Sequence, residues 1–190
     1  MKLCWLLAAP LLLPVLPSQA QAPASALNLD FERVDHQTHL PAGWHTNDSF
    51  SSGAATGKAY QVVADSATRH GGRYALRIRS TGQPRPSNEF GVATVVVPVA
   101  FQGKTLKLTG FLKTEQVQDG FAGLWLRVDG LAKTLAFDNM QTRPVQGTTG
   151  WQQYTTSLPL AAEAETIYLG GLLPAQVDGF GLGGQRQAGG

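Results

Sequence analysis

Short stretches in which apolar and polar residues alternate recur along this chain and constrain its fold more than any other feature. The clearest stretch is Lys104–Glu115, in which the leucines fall on one face and Phe111 and Lys113 fall on the other. The 22 glycines of the chain separate these stretches with turns, and no segment sustains a helical period. Alternation of this kind is typical of an all-β sandwich or barrel.

The same pattern gives the bounds of the predicted strands and loops. The strands are predicted at Asn28–Glu32, Tyr60–Ala64, Tyr74–Ser80, Glu89–Val99, Lys104–Glu115, Gly120–Asp129, Thr134–Asp138, Trp151–Leu158, Thr166–Leu173 and Val177–Leu182. The predicted loops are Val34–Gly57, His70–Gly72 and Asn139–Gly150. Together these segments predict one β-sandwich domain over residues 27–182.

Gly120–Asp129 follows Lys104–Glu115 and has the same kind of pattern. Leu124 and Leu126 fall on its inward face, and Trp125 and Arg127 fall on its outward face. Each of the two strands has an apolar face and a face of aromatic and charged residues. We therefore expect them to lie side by side in one sheet with one wetted side.

The first residues of the chain have the organisation of a targeting segment. Lys2 supplies a positive charge, Leu6–Leu16 is an apolar run broken by two prolines, and Ser18–Ala20 supplies the small residues of a cleavage site. The apolar run is shorter than the ~20 residues of a membrane-spanning helix. We therefore predict a signal peptide over residues 1–20, export to the periplasm or the extracellular space, and no membrane insertion.

Composition limits the function classes that the chain can belong to. Fifteen basic and 13 acidic residues give a formal net charge of +2, which is not the basic footprint of a nucleic-acid-binding protein. The one cysteine, Cys4, lies in the predicted signal peptide, so we expect the exported domain to depend on its hydrophobic core rather than on disulfides. Residues 21–26 are predicted to be a mobile linker and residues 183–190 a disordered tail.

Several phrases, taken in order, resemble the galactose-binding-like jelly roll of bacterial carbohydrate-binding modules. They include Leu29–Glu32, Leu40–Trp44, Arg69–Ile78, Gly103–Leu106, Phe111–Thr114, Thr149–Tyr154 and Val177–Phe180. Gly123–Gly130 and Leu135–Met140 are similar to the N-terminal accessory domain of some erythromycin-esterase-like and tail-processing-peptidase-like enzymes. The resemblance implies a jelly-roll β-sandwich in which the first strand, Asn28–Glu32, pairs with the last, Val177–Leu182.

A candidate ligand-binding surface follows from the outward side chains. Aromatic rings stack on the apolar face of a sugar, and carboxylate, amide and guanidinium groups form hydrogen bonds with its hydroxyls. The predicted ligand-binding residues are Phe111, Lys113, Trp125, Arg127, Asp138 and Asn139. The alternative is that a loop merely buries Trp125, while Arg127 forms an ordinary ion pair with Asp129 or Asp138.

A metal site is implied by the resemblance to the same modules. Related modules hold a structural Ca²⁺ with carboxylates of the first and last strands, and Glu32 and Asp178 match those positions. Carboxylate oxygens suit this hard cation. The alternative is that both carboxylates are solvated or pair with arginines. The histidines at 36, 39 and 45 lack a spacing typical of zinc ligands.

These observations favour a secreted binding or accessory module over an enzyme. The chain has neither the G-x-S-x-G elbow of hydrolases nor the H-E-x-x-H motif of metalloproteases. A carbohydrate or cell-surface glycan is the favoured partner. The alternative is a structural or protein-interaction domain that has no small-molecule ligand.

We expect the exported protein to be shortened at its N-terminus, because the apolar run and the small residues after it form a signal peptidase site. When the full chain is expressed in an exporting bacterium, mass spectrometry should find Gln21 as the new first residue, with Pro23 as the product of the second candidate site. An intact Met1 on exported protein would contradict the predicted signal peptide.

Overall fold

The computed structural model describes residues 27–46, 59–83, 90–99, 105–173 and 179–183. The regular structure within these ranges is β-structure, in nine strands. They are β1 (His45–Thr46), β2 (Tyr60–Asp65), β3 (Ala75–Ser80), β4 (Gly91–Pro98), β5 (Thr105–Asp129), β6 (Thr134–Asp138), β7 (Val145–Pro159), β8 (Thr166–Leu173) and β9 (Gly179–Gly183). Among the described residues, no helix is long and apolar enough to cross a membrane.

The strands form two antiparallel sheets that share strand β5. The front sheet has the order β1-β4-β8-β5-β6, and the rear sheet has the order β2-β3-β9-β5-β7. The two sheets face each other across one hydrophobic core, which is the architecture of a jelly-roll sandwich. The predicted all-β jelly-roll fold is confirmed.

Strand β5 is 25 residues long because it belongs to both sheets. Its first part pairs with β7 and β9 in the rear sheet, and Gly123–Asp129 pairs with β8 and β6 in the front sheet. Its register with β7 shifts repeatedly between Leu112 and Ala122, and such bulges bend a strand from one sheet into the other. The prediction that Lys104–Glu115 and Gly120–Asp129 are neighbours in one sheet is therefore wrong.

The core lies between the inner faces of the two sheets. Leu112 and Leu182 project into it from the rear sheet, and Leu124, Leu126 and Ile167 project into it from the front sheet, all of them at most 5% exposed. Burial of each such side chain contributes about 1.5–3 kcal/mol. The inward face predicted for Leu124 and Leu126 is confirmed, and strand alternation consequently directs the residues between them outward.

The segment Asn28–Glu32 is a turn and not the predicted first strand. Asn28 and Phe31 have φ angles of 54° and 62°, which an extended strand does not accommodate. The buried Asn28 side chain holds the turn, because its Nδ2 donates to the carbonyl oxygens of Arg33 and Ala42 at 2.8 and 3.0 Å. The last strand, β9, pairs with β3 and β5 instead.

Several other predicted boundaries are confirmed or corrected. Strands β6 and β8 have the predicted bounds. Part of the predicted loop Asn139–Gly150 is strand, because β7 begins at Val145, and the predicted loop Val34–Gly57 contains both β1 and a bridge between Val34 and Pro41.

The chain ends are only partly described. Gly183, which was predicted to begin the disordered tail, is the last residue of β9. The predicted signal peptide, the linker and the remaining tail, residues 184–190, lie outside the described residues.

Gly170 allows three strands to approach closely at the centre of the front sheet. It lies opposite Thr94 of β4 and Trp125 of β5. A Cβ atom at this position would lie 1.9 Å from the carbonyl oxygen of Ala93 and 2.9 Å from Nε1 of Trp125. A larger residue would therefore have to displace backbone, which a packed sheet resists.

We expect Gly170→Ala to lower the free energy of unfolding by about 3 kcal/mol, the upper end of the range for overpacking. Urea denaturation followed by circular dichroism would measure the loss. Gly150→Ala is the matched control, since a Cβ there would meet nothing within 4 Å, and its effect should stay within about 0.5 kcal/mol. Equal losses in the two variants would contradict the role given to Gly170.

Candidate functional site

An open groove with a volume of about 690 Å³ lies on the outer face of the front sheet. Its lining comes from outward positions of β4, β5, β6 and β8 and from the segments that flank β4 and β6. The lining residues are Phe90, Val92, Thr94, Phe121, Trp125, Arg127, Phe137, Asn139, Gln141, Tyr168 and Leu172. The groove therefore combines many aromatic and aliphatic side chains with a few polar ones, as small-molecule sites do.

Trp125 lies at the centre of this groove. Its indole Nε1 donates to the carbonyl oxygen of Ala93 at 3.5 Å, across the space left by Gly170. The indole is nearly parallel to the ring of Tyr168, with centroids 6.4 Å apart, and the ring of Phe137 lies at the same distance with a tilt of 54°. The three rings make a continuous aromatic surface because strand alternation directs each of them outward.

Arg127 is held by two contacts beside these rings. Its Nε and Nη2 donate to the two carboxylate oxygens of Asp129 at 2.8 and 2.5 Å, the bidentate geometry of a strong ion pair. Its guanidinium carbon also lies 5.4 Å from the centroid of the Tyr168 ring, within cation–π range. The hydrogen bond between the two groups lowers the pKa of Asp129 and raises the pKa of Arg127.

Asp138 fixes the turn that brings Asn139 to the edge of the groove. Its Oδ1 accepts a hydrogen bond from the Met140 N–H at 2.8 Å, and its Oδ2 accepts from the Thr156 hydroxyl at 2.6 Å and from Arg143. Burial raises the pKa of Asp138, but the hydrogen bonds from Arg143, Thr156 and Met140 outweigh burial and hold this pKa below its ordinary value. The contact with Thr156 of β7 directs the carboxylate toward the rear sheet.

The structure brings together three of the six predicted ligand-binding residues. Trp125, Arg127 and Asn139 line the groove. Asp138 is adjacent in sequence, but its carboxylate points away from the groove and positions Asn139 instead. The ion pair of Arg127 with Asp129, which was the alternative interpretation of the sequence, is also present.

Phe111 and Lys113 lie on the opposite side of the sandwich from this groove. Both belong to the part of β5 that pairs with β9 in the rear sheet. Phe111 stacks on His70, with ring centroids 3.7 Å apart, and His70 in turn meets the edge of Trp151 at 5.6 Å. The six predicted residues therefore do not form one surface, and the role of Phe111 and Lys113 in binding stays a prediction.

Sequence reasoning did not single out most of the aromatic lining. The outward position of Tyr168 follows from the alternation of β8, in which Ile167 and Leu169 are buried, so a signal for it was present. Phe90 precedes β4, and Phe121 lies where the register of β5 shifts. Alternation gives no direction for a side chain at such positions.

The described part of the predicted calcium site is taken up by an ion pair. Oε1 of Glu32 accepts a hydrogen bond from the N–H of Arg73 at 2.7 Å, and Oε2 accepts from Nε of the same arginine at 3.0 Å. A guanidinium beside a carboxylate opposes a second cation there, and Ca²⁺ needs about six to eight oxygen ligands. Asp178 lies outside the described residues. Calcium binding stays a prediction that these contacts do not favour.

The remaining acidic and histidine side chains do not gather into a metal centre in the described part of the chain. Within those ranges there is no group of three or more His, Cys, Asp or Glu residues that could hold a metal ion.

Comparison with protein families and curated proteins gives one local likeness. No family model matches the chain. A relative described as the uncharacterized HTH-type transcriptional regulator YbfP of Bacillus subtilis (strain 168) is 45% identical over 80 residues, which is 40% of this chain. The chain spans about a quarter of the length of this relative, since the match covers 27% of it.

Solved structures are similar to this chain in fold. The CBM22-1 xylan-binding domain from Paenibacillus barcinonensis Xyn10C has a TM-score of 0.55 and 11% identity, over 82% of this chain and 87% of that chain. The C-terminal family 22 carbohydrate binding module of Clostridium thermocellum Xyn10B has a TM-score of 0.52 and 13% identity, over 75% and 83%. A Stig cyclase, Fisc, from Fischerella sp. TAU has a TM-score of 0.50 and 16% identity, over 82% and 91%.

These likenesses confirm the resemblance to the jelly roll of bacterial carbohydrate-binding modules at the level of the fold. The likeness to accessory domains of esterase-like and peptidase-like enzymes stays a prediction. Because the same fold occurs in xylan-binding domains and in a cyclase, the function of this chain has to be argued from the side chains of its groove.

We expect Arg127→Gln to raise the pKa of Asp129 toward its ordinary value of 3.8, because the variant removes the ion pair. Carboxyl ¹³C NMR titration would measure this change, with Asp138 as an internal control whose partners are untouched. An unchanged pKa of Asp129 would contradict the pairing.

A carboxylate whose pKa is lowered by folding stabilises the protein above its unfolded pKa and loses that contribution as the pH falls through the folded pKa. The stability difference between variant and wild type should therefore shrink below about pH 4.

Proposed function

We propose that this chain is a secreted, non-catalytic module that binds carbohydrate in the groove of the front sheet. The observation that carries the proposal is the aromatic surface of Trp125, Tyr168 and Phe137 with Arg127 and Asn139 at its margins. A pyranose ring has apolar C–H faces and a rim of hydroxyls, so it matches flat rings flanked by hydrogen-bonding side chains. The charged N-terminal segment followed by an apolar run supports export.

Two of the phenylalanine rings that line the groove are exposed, which supports a ligand that covers them. Phe90 and Phe137 are 43% and 51% exposed, and contiguous exposed apolar surface marks a site of interaction. Xylan is the first polymer to test, because similar folds are described as xylan-binding domains.

The same lining supports a binding role rather than catalysis. Hydrolysis of a glycosidic bond uses a pair of carboxyl groups that flank the bond, and the described lining residues include no Asp, Glu or His. We propose that the module acts as an accessory domain, in line with the resemblance of its sequence to domains that precede esterase-like and peptidase-like enzymes. A protein partner that docks on the same groove is the alternative.

We expect Trp125→Ala to abolish retention on xylan in affinity electrophoresis. The indole is half-buried in an open groove, so the loss of stability should be at most about 2 kcal/mol, below the ~3–5 kcal/mol of a fully buried aromatic. Trp151→Ala is the matched control, because it removes an indole from the rear side of the sandwich and should leave retention unchanged.

The outcomes separate the two proposed functions. Loss of retention in Trp125→Ala but not in Trp151→Ala, with both variants folded, supports carbohydrate binding. Failure of wild type to bind any polysaccharide in a screen, together with unchanged tryptophan fluorescence, would overturn it and leave the protein-interaction alternative.

A further inference from the structure

The charges that line the groove indicate which carbohydrates it can bind, an inference that rests on the proposed function. Arg127 is the one residue with a full charge among the described lining residues. Its guanidinium does not face the groove as a free cation, because Asp129 neutralises it through two hydrogen bonds. Asp129 itself is not part of the lining. The electrostatic balance of the site is thus set by a residue beside it on the same face of β5.

The geometry of this pair also determines which donors remain for a ligand. A guanidinium has five N–H groups, and Asp129 takes one from Nε and one from Nη2. The pair and the ring of Tyr168 together hold the guanidinium plane in one orientation. Asp129 leaves the other three N–H groups of the guanidinium unused, and hydroxyl oxygens of a sugar can accept from them.

The remaining polar groups of the groove are uncharged. Thr94 donates its hydroxyl proton to the carbonyl oxygen of Leu169 at 3.0 Å, and Asn139 accepts from the N–H of Gln141 at 3.0 Å. The indole N–H of Trp125 is directed to Ala93, so this ring offers its face and not its donor. No feature in the described lining supplies net positive charge to balance a carboxylate or a sulfate that enters the groove.

We propose that the groove selects uncharged polysaccharide segments and that Asp129 enforces this selectivity. It does so as a positioning residue, by neutralising Arg127 and fixing its orientation. A uronate would bring a second negative charge beside the Asp129 carboxylate, whereas a neutral sugar accepts from the remaining guanidinium donors without this repulsion. Removal of the Asp129 charge should convert the groove into a site that accepts acidic sugars.

The experiment uses one polymer in two charge states. Probes are a xylan with uronate side groups and the same xylan after chemical reduction of its carboxyl groups to alcohols. Wild type should bind the reduced polymer at least about 10-fold more tightly than the uronate form. Asp129→Asn should gain at least about 10-fold in affinity for the uronate form at low salt, since hydrogen bonds to charged groups are the strong ones. The gain should disappear at high ionic strength.

Glu115→Gln is the matched control, because it removes one negative charge at an exposed position on the part of β5 that belongs to the rear sheet. It should leave both affinities unchanged. The double variant Arg127→Gln with Asp129→Asn also lacks the guanidinium donors, so it should bind the reduced polymer more weakly than wild type and show no gain for the uronate form. If Asp129→Asn alone is poorly folded, the preference of wild type for the reduced polymer still tests the proposal.

Each result has a distinct meaning. A gain for the uronate form in Asp129→Asn alone supports the inference. Equal behaviour of Asp129→Asn and Glu115→Gln, or a wild-type preference for the uronate form, overturns the inference while carbohydrate binding stands. If neither polymer is retained by wild type or by any variant, the proposed function fails in its xylan form and the inference falls with it.

Discussion

The shared strand β5 is the constraint on which the rest of this structure depends. It supplies inward leucines to both sides of the core and hydrogen-bonded partners to both sheets. Its bulges between Leu112 and Ala122 carry the chain across the sandwich. Outward residues before the crossing therefore face the rear, and those after it face the groove. The separation of Phe111 from Trp125 follows directly.

The groove is organised by contacts that need no ligand. The indole of Trp125 lies over the space at Gly170, and Arg127 is clamped between Asp129 and the ring of Tyr168. These contacts restrict the rotamers of both side chains before any ligand binds. A ligand that binds them therefore meets little further entropic cost, which is the advantage of a preorganised site.

Sequence patterns predict some parts of this molecule because those parts obey a single local rule. The inward positions of Leu124 and Leu126, and hence the outward position of Trp125, follow from strand alternation alone. Alternation does not reveal that a bulge moves the strand into another sheet, so the grouping of Phe111 with Trp125 could not be tested from the pattern. The turn at Asn28 could not be predicted for another reason. Its left-handed backbone and buried side-chain amide form a turn inside a segment whose apolar residues resemble those of a strand.

The fold constrains the inner faces of the two sheets far more than it constrains the outer face on which the groove lies. Inner positions have to be apolar to fill the core, whereas outer positions can vary without unfolding the sandwich. This freedom explains how xylan-binding domains and a cyclase can share the architecture at 11–16% identity with this chain. In this chain the outer face of the front sheet carries rings that are costly to leave in water, and Phe137 is 51% exposed. Stability alone gives no reason for that arrangement, whereas the proposed carbohydrate ligand, with its apolar faces and hydroxylated rim, would give one.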